Sequence, residues 1–322
     1  MTLTRLASIA NTSVSTVSKA FSGSREISEE TREHIFKIAR ELGCYDKFNK
    51  NKYENKAIAI ICPEIDGDYY TSLVSTFTNE IDKYGSITVI STTGFNESNA
   101  LKLYNYYACY AKVDGIILIN APLCDNPSVM VPTISLDSTR NDNMAFSIQL
   151  SDAIYDAVNH LKELGHTRIG FAGENKTAAK LEKFKSAMRK LGLPLEPDYI
   201  KISSKRFESA GEEIADMLLA SDSRPTAIIA SYDHIAIGLI HKLKSCGYSV
   251  PGDFSIIGMD DIAVAPYLET SLSSIGVDTM ELVKKTTDRL LTCINNSIVT
   301  GKEPLLIPAK YVPRESTAPP KQ

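Results

Sequence analysis

A run of short hydroxyl side chains near the start of the chain ends in a lysine, a combination that suits contact with a nucleic acid. The run consists of Ser13, Ser15, Thr16, Ser18 and Lys19. Small hydroxyls allow close approach to a phosphate backbone and donate to it, and a lysine reaches a phosphate or a base acceptor. The solvated face of a small helical bundle has the same composition, so the residue types alone leave both interpretations open.

Aromatic and acidic side chains later in the chain suit the binding of a small molecule. Tyr69 and Tyr70 offer flat rings for stacking on a sugar or a base, and core packing of one ring is an equal alternative. Asp260 and Asp261 offer carboxylate oxygens that accept from ligand hydroxyls. A turn or a helix cap is the alternative for this acidic pair.

Signatures of an enzyme or a metal centre are missing from the sequence. It contains no G-x-G-x-x-G, G-x-x-x-x-G-K-[ST], H-E-x-x-H or G-x-S-x-G motif. Its five histidines lack cysteine or acidic partners at ligand spacing, and its six cysteines are scattered as in a protein with reduced thiols. We therefore expect no catalysis, no metal and no cofactor.

The hydroxyl run lies on the second of three short helices predicted in residues 1–43. Thr2, Ser13 and Ser28 each precede a segment with helical apolar spacing, so each is a candidate N-cap. A short turn between the first two helices, with a third in support, is helix-turn-helix geometry. Residues 44–56 hold four Lys and three Asn and few apolar residues, which predicts a linker.

From residue 57 onward, apolar strands alternate with amphipathic helices. This pattern predicts an α/β fold with parallel sheets in a body spanning residues 57–322. The alternation runs through two series, which predicts lobes at about 57–148 and 149–275 and crossover segments in 276–322. Ligands sit beyond the carboxyl ends of parallel strands. Those ends carry 64–70, 92–95, Asn120, Asp137-Ser138, Tyr232-Asp233 and 259–261.

Length and charge agree with a nucleic-acid module fused to a larger binding domain. A chain of 322 residues is long enough for two domains. Residues 1–56 hold ten Lys/Arg against seven Asp/Glu, whereas the remainder holds 25 against 32. No apolar run is long enough to span a bilayer and no secretory signal is visible, so we expect a cytoplasmic protein without a membrane partner.

Several segments have the character of one protein family. They are LASIANTSVSTVSKAFSGSREISEETREHIFKIARELG, VDGIIL, HLKELGHTRIGF, PTAIIASYDHIAIG, VPGDFSIIGMDD and VPREST. On these segments nearly the whole chain resembles the lactose-repressor (LacI/GalR) family of bacterial transcription regulators. The resemblance implies a homodimer that binds a near-palindromic double-stranded DNA operator, most often as a repressor. It also implies a body like that of periplasmic sugar-binding proteins, with a carbohydrate-like effector between the lobes.

The resemblance also implies roles for individual residues. Val14, Ser15 and Lys19 take base-reading positions. Phosphate-contacting positions fall on Thr2, Ser13, Thr16, Ser18, Ser28 and Thr31. Effector-cleft positions fall on Tyr69, Tyr70, Asp137, Asp233, Asp260 and Tyr267, with Tyr232 in place of a usual Asn.

The sequence departs from the family at positions that affect both functions. Arg5 replaces a usual acid and could alter the capping of the first helix. The usual hinge leucine is missing between Leu42 and Leu73, so a flexible tether is favoured over Phe48 or Tyr53 as a minor-groove wedge. Ala178 stands where an Arg often grips a sugar, which predicts a cleft not tuned to a typical pentose or hexose. A modified sugar, a nucleoside-like ligand or no ligand remain open.

Two alternative functions remain open at this point. One is a cytosolic solute-binding module whose N-terminal bundle does not bind DNA. The other is a DNA-binding protein that has lost its effector.

Overall fold

The structure, a computed structural model, describes residues 1–22, 24, 26–48, 56–121, 123, 131–136, 145–296 and 305–321. The chain forms two compact units. One comprises Met1–Lys56 with Gly85–Ile87, and the other comprises Ala57–Tyr84 with Thr88–Gln322. Within the described ranges, no helix has the length and apolar character needed to cross a bilayer.

The head is built from the three predicted helices and one further helical turn. They are α1 (Leu3–Ile9), α2 (Val14–Phe21), α3 (Glu29–Glu41) and α4 (Tyr45–Phe48). The predicted caps Thr2, Ser13 and Ser28 each accept a hydrogen bond from a backbone N–H three residues later. The apolar stripes of the helices meet in a common core, which includes Leu6, Val17, Phe21, Ile35 and Ala39.

The core of the head continues into the segment predicted as a linker. Cys44 is buried in it, and the rings of Tyr45 and Phe48 lie 5.7 and 5.9 Å from that of Phe21. Phe48 therefore packs within the head, which argues against the wedge role. Tyr53, the other predicted wedge, lies outside the described residues.

The body begins with alternating strands and helices, as the sequence predicts. Its first part contains β1 (Ala57–Cys62), α5 (Asp68–Asp82), β2 (Ile87–Thr92), α6 (Glu97–Asn105), a π-helix (Tyr106–Ala111), β3 (Gly115–Ile119), β4 (Thr133–Leu136) and β5 (Ala145–Gln149). The second part contains α7 (Leu150–Glu163), β6 (Ile169–Glu174), α8 (Ala178–Lys190), β7 (Ile200–Ser203), α9 (Phe207–Leu219), β8 (Ala227–Ala230), α10 (Asp233–Ser245), β9 (Ser255–Ile257) and β10 (Ser274–Gly276). The C-terminal part contains α11 (Thr279–Asn295), β11 (Leu305–Pro308) and β12 (Lys310–Val312).

Two sheets define two lobes. The first-lobe sheet has the order β11-β5-β4-β3-β1-β2, and the second-lobe sheet has the order β7-β6-β8-β9. The pairs from β11 to β1 in the first sheet and all pairs of the second sheet are parallel, with Ile58 opposite Gly115 and Ile169 opposite Ala227. The predicted α/β class with parallel sheets is confirmed.

Each sheet is covered by helices on both faces because successive side chains of a strand point to opposite sides. In β1, Ile58 and Ile60 join the core beneath α5 and α11, whereas Ala59 and Ile61 join the core beneath α6. Strand β8 divides in the same way between the two cores of the second lobe. Strands β1 and β8 are therefore continuous apolar runs, as in other doubly covered sheets.

The C-terminal part returns to both lobes, and its elements were not predicted individually. Helix α11 packs in the first-lobe core through Leu282, Val283 and Leu290, and β11 extends that sheet. Strand β12 then pairs antiparallel with β10. Further on, the carbonyl of Ala318 lies 2.8 Å from Nε2 of His166 in the second lobe.

Candidate nucleic-acid interface and ligand cleft

Helix α2 divides cleanly into a buried face and an exposed face. Val17, Ala20 and Phe21 are buried in the head core. On the other side Ser15 and Ser18 are exposed, and Val14 leaves 43% of its surface in solvent. An apolar side chain beside short hydroxyls, at the start of a helix, suits contact with base edges and thymine methyl groups in a major groove.

All the predicted phosphate-contacting hydroxyls except that of Ser18, which lies further along α2, are at the N-termini of the three helices. Ser13 Oγ accepts from the Thr16 N–H at 3.0 Å and lies 2.8 Å from Thr16 Oγ1. Ser28 makes the same pair of contacts with Thr31, at 3.2 and 2.8 Å. Helix N-termini attract phosphate through their free N–H groups and their dipole. Each Ser–Thr pair thus lies at a helix end of the kind that attracts phosphate, and its contact with DNA stays a prediction.

Arg5 does not disturb the first cap. Its backbone N–H donates to Thr2 Oγ1 at 3.3 Å, so the helix begins at the predicted position. The side chain of Arg5 is exposed and leaves a positive charge on the surface of α1.

Lys19 has an acidic partner that sequence reasoning missed. Its ammonium forms a salt bridge with Glu26, and this interaction lowers the pKa of the Glu26 carboxyl. Both side chains are largely exposed, so solvent and salt screen the pair. DNA would have to replace Glu26 as the partner of Lys19.

In the body, the first lobe contributes an aromatic wall at the carboxyl ends of its strands. The ring of Tyr70 lies 5.1 Å from that of Tyr69 and 6.5 Å from that of Phe95. The hydroxyl of Tyr70 accepts a hydrogen bond from Asn120 Nδ2 at 3.0 Å. Both tyrosines also pack against the first-lobe core, so stacking and core packing are not exclusive here.

The second lobe contributes a wall in which one lysine connects two predicted residues. Lys180 Nζ donates to Asp260 Oδ1 at 3.1 Å and to the Ser231 carbonyl at 2.7 Å, and it lies 4.2 Å from the Tyr232 ring centre. Burial, together with the charge of Asp260, raises the pKa of the Tyr232 hydroxyl. Lys180, which lies on the same helix as Ala178, thus places one ammonium group in this wall, whereas the arginine fork that Ala178 replaces is not restored.

Arg206 joins the two walls, and sequence reasoning missed it. Its Nη1 and Nη2 donate to the two oxygens of Glu64 at 2.6 and 2.8 Å, and its Nε donates to Glu174 Oε1 at 3.2 Å. The hydrogen bonds to Glu64 raise the pKa of the guanidinium. Glu174 is the last residue of β6, and Arg206 follows β7. The strand-end rule would therefore have found both residues had it been applied to those two strands. We call the space between these two walls the interlobe cleft.

Asp233, predicted to contact the effector, does not face the interlobe cleft. Its side chain is fully buried, with Oδ2 accepting from the Ile262 N–H at 2.8 Å and Oδ1 from Ser274 Oγ at 2.6 Å. Burial first, and the charge of Asp260 second, raise its pKa to about 8. Asp233 therefore fixes the loop after β9 and is not available to a ligand.

The other predicted effector residues have different outcomes. Tyr267 is 85% exposed, which is incompatible with a wall position in an enclosed cleft. Asp261 is paired with Arg314 at 2.6 Å, so it serves the fold. Asp260 has a backbone φ of 109°, a strained conformation for a residue with a side chain, and such strain is concentrated at functional sites. Asp137 lies outside the described residues.

Metal binding finds no support in this arrangement. Among the described residues, no three His, Cys, Asp or Glu side chains converge as a metal site would require.

Comparison with known families matches both units of the chain. Residues 2–45 match the description "Bacterial regulatory proteins, lacI family". Residues 158–317 match a periplasmic binding protein-like domain. The chain belongs to the lacI family of bacterial regulatory proteins.

Individual relatives span the whole chain. Catabolite control protein A of Priestia megaterium is 27% identical, covering 98% of this chain and 99% of its own length. The ribose operon repressor of Haemophilus influenzae is 29% identical and covers 92% of each chain. Among solved structures, the lac repressor dimer bound to operator and an anti-inducer has a TM-score of 0.72 at 23% identity, covering 99% of each chain. These relatives are regulators, and the lacI-family interpretation is confirmed.

Proposed function

We propose that this lacI-family chain is a homodimeric, sequence-specific repressor controlled by a carbohydrate-like molecule bound in the interlobe cleft. The observation that carries the proposal is the exposed face of α2. It presents Val14, Ser15, Ser18 and Lys19 to solvent beside a capping hydroxyl pair, on a helix held by a buried opposite face. Such a face has the shape and donors to enter a major groove.

Each part of the chain has its own role. Residues 1–43 bind DNA, and residues 44–56 connect this part to the body. Residues 57–322 bind the effector and form the dimer. Bases are contacted by Val14, Ser15 and Lys19. Phosphates are contacted by Thr2, Ser13, Thr16, Ser18, Ser28 and Thr31. The effector is contacted by Tyr69, Tyr70, Tyr232 and Asp260, and Asp137 stays a prediction.

A two-fold dimer explains how such a small head would reach specificity. Two copies of α2, one helical turn of DNA apart, bind two half-sites of a near-palindromic operator. The operator-bound dimer of the lac repressor, whose fold this chain shares, supports this arrangement. Because the target is the bacterial chromosome, the protein would act in the cytoplasm.

The alternative of a solute-binding module with a non-functional N-terminal bundle is disfavoured. The match to a family of regulatory proteins covers the head itself, from residue 2 to residue 45.

The direct test is selection of bound fragments from the source genome with the purified full-length protein. We expect enrichment of a near-palindromic site, occupied by two chains, with protection of both half-sites in a footprint. Enrichment of no common sequence would contradict the proposal. The genes beside a recovered site would also narrow the chemistry of the effector.

A further inference from the structure

Arg206 is held from both sides of the interlobe cleft, but by different parts of its guanidinium. The end of the planar fork, Nη1 and Nη2, is bound by both oxygens of Glu64 from the first lobe. The inner nitrogen, Nε, is bound by Glu174 of its own lobe. A two-bond contact with a carboxylate is the geometry that arginine uses to bind anionic groups of ligands.

Entry of a ligand requires the first-lobe partners to withdraw. Both oxygens of Glu64 already occupy Nη1 and Nη2, so a ligand anion can reach the fork only in place of this carboxylate. When the lobes separate, Glu64 leaves the fork of Arg206 while Glu174 remains on Nε. Lys176, whose Nζ lies 3.4 Å from the Phe95 ring centre, loses its first-lobe partner in the same movement.

The other charged groups nearby keep partners within the second lobe. Lys180 retains Asp260 and the Ser231 carbonyl. At the rim, Glu208 contacts His234, which also lies 3.3 Å from Asp68. The fork of Arg206 is therefore the strongest anion-binding group that opening exposes, and Lys176 adds a second positive charge.

The surroundings of Arg206 suit a hydroxylated ring. The rings of Phe207 and Tyr232 lie 6.2 Å apart on the second lobe, with Arg206 over the first ring and Lys180 over the second. Two buried oxygens beside them, Glu174 Oε2 and Ser231 Oγ, have no hydrogen-bond partner among the described residues. One ligand hydroxyl can donate to Glu174 Oε2, and another can donate to Ser231 Oγ or accept from it. Both buried oxygens would then have a hydrogen-bond partner.

We infer that the interlobe cleft takes a polyhydroxylated ligand bearing a carboxylate or a phosphate, and that Arg206 binds this anionic group in place of Glu64. The inference rests on the proposed function, because it assumes that the cleft is an effector site. It names the chemical class of that effector and the residue that selects it.

The test compares a neutral probe with charged probes on the full-length protein. Isothermal titration calorimetry would measure the affinities for glucose, glucose 6-phosphate and glucuronate. The second probe tests a phosphate group and the third a carboxylate. We expect at least one charged probe to bind about tenfold or more tightly than glucose, as a charge-assisted contact allows. Equal affinities, or no binding of either charged probe, would overturn the inference.

Two variants assign the effect to the pair of residues. Glu64→Gln removes the competing carboxylate, so the charged probe should bind several-fold more tightly, with Glu163→Gln on α7 as the control. Arg206→Gln should lower its affinity to that of glucose, with Arg189→Gln at the exposed end of α8 as the control. Weaker binding in Glu64→Gln, or an unchanged preference in Arg206→Gln, would show that Arg206 only connects the lobes.

DNA binding by the same preparations separates this inference from the function on which it rests. If the protein prefers its genomic site but binds glucose and the charged probes equally, the inference alone fails. If it shows no preference among duplexes, the proposed function fails whatever the cleft binds. Retained DNA binding and an unchanged melting transition would also show that Arg206→Gln is folded.

Discussion

Under the proposed function we expect base recognition to depend most on Lys19, and in this structure Lys19 is already engaged by Glu26. The pair is exposed, so its own contribution to stability is small. Its importance is for binding, because a duplex must displace Glu26 and bring its own negative charge past this carboxylate. We therefore expect the Glu26 carboxylate to lower the affinity of the head for DNA. The loss should be largest for duplexes that offer Lys19 no acceptor in place of Glu26.

We expect Glu26→Gln to strengthen operator binding, on the order of several-fold at moderate salt, because it frees Lys19 and removes a like charge. Fluorescence anisotropy with a labelled operator would measure the change. Glu41→Gln, at the exposed end of α3, removes the same charge without touching Lys19. Equal gains in both variants would show that net charge, and not the Lys19 pair, is responsible.

Asp233 makes the stability of the body depend on pH. Its folded-state pKa, raised mainly by burial to about 8, exceeds the ordinary value of 3.8. The folded state therefore holds a proton that the unfolded state has released, and this stabilisation is lost as pH rises from about 4 through about 8. We expect Asp233→Asn to lessen the fall in melting temperature between pH 5 and pH 8. Parallel curves for the variant and the parent protein would contradict this assignment.

The candidate sites were predictable where they lie close together in sequence. The hydroxyl run of α2 and its caps follow from local spacing, and Asp260 follows from its place after a strand. Arg206 was missed because its partner Glu64 lies 142 positions away in sequence. Glu26 was missed because its contact with Lys19 forms beyond the end of α2, where helical spacing no longer applies. Asp233 was misassigned because a strand-end position does not show that Ser274 and Ile262 enclose the side chain.

At the scale of elements, α9 and α10 are packed closely through glycine. A methyl group added at Gly238 would come within 2.0 Å of the Glu208 carbonyl oxygen, and one at Gly211 within 2.2 Å of the Ile235 carbonyl oxygen. The two helices approach so closely because neither glycine has a side chain. The first residues of both helices, Phe207 and Asp233, follow the cleft residues Arg206 and Tyr232, so this packing also fixes the second-lobe wall.

We expect Gly238→Ala to destabilise the body by about 1–3 kcal/mol, because the new methyl group must push backbone apart. Chemical denaturation followed by circular dichroism would measure it. Ser209→Ala, at an exposed position of α9, is the matched control and should change stability by less than about 0.5 kcal/mol. A neutral Gly238→Ala would mean that the helices are not in such close contact.

The elements of the body were largely predictable, since each β-α unit has its own apolar pattern. The sequence pattern missed β5, β10 and the C-terminal elements α11, β11 and β12. Strand β11 lies beside β5, with Leu305 opposite Phe146, a pairing between distant segments that local periodicity does not contain. Helix α11 has a clear apolar stripe, but nothing local assigns it to the first lobe.

At the scale of the whole molecule, the lobes are joined both covalently and across the interlobe cleft. The chain passes between them at the β5–α7, β10–α11 and β11–β12 connections. Across the cleft they are held by the contacts of Arg206 with Glu64 and of Lys176 with Phe95. A ligand that binds separated and closed lobes with different affinities would shift their populations, and a coupling of about 1–3 kcal/mol would suffice to regulate DNA binding.

The central claim is that α2 holds a particular stretch of base pairs in a major groove. Its most direct test is the ratio of affinities of the purified dimer for a genome-selected site and for a scrambled duplex, at near-physiological salt, with Lys19→Ala beside the parent protein. We predict a ratio on the order of a thousandfold or more, reduced about fivefold or more by Lys19→Ala. Equal affinities for the two duplexes, or a ratio that Lys19→Ala leaves unchanged, would contradict the claim.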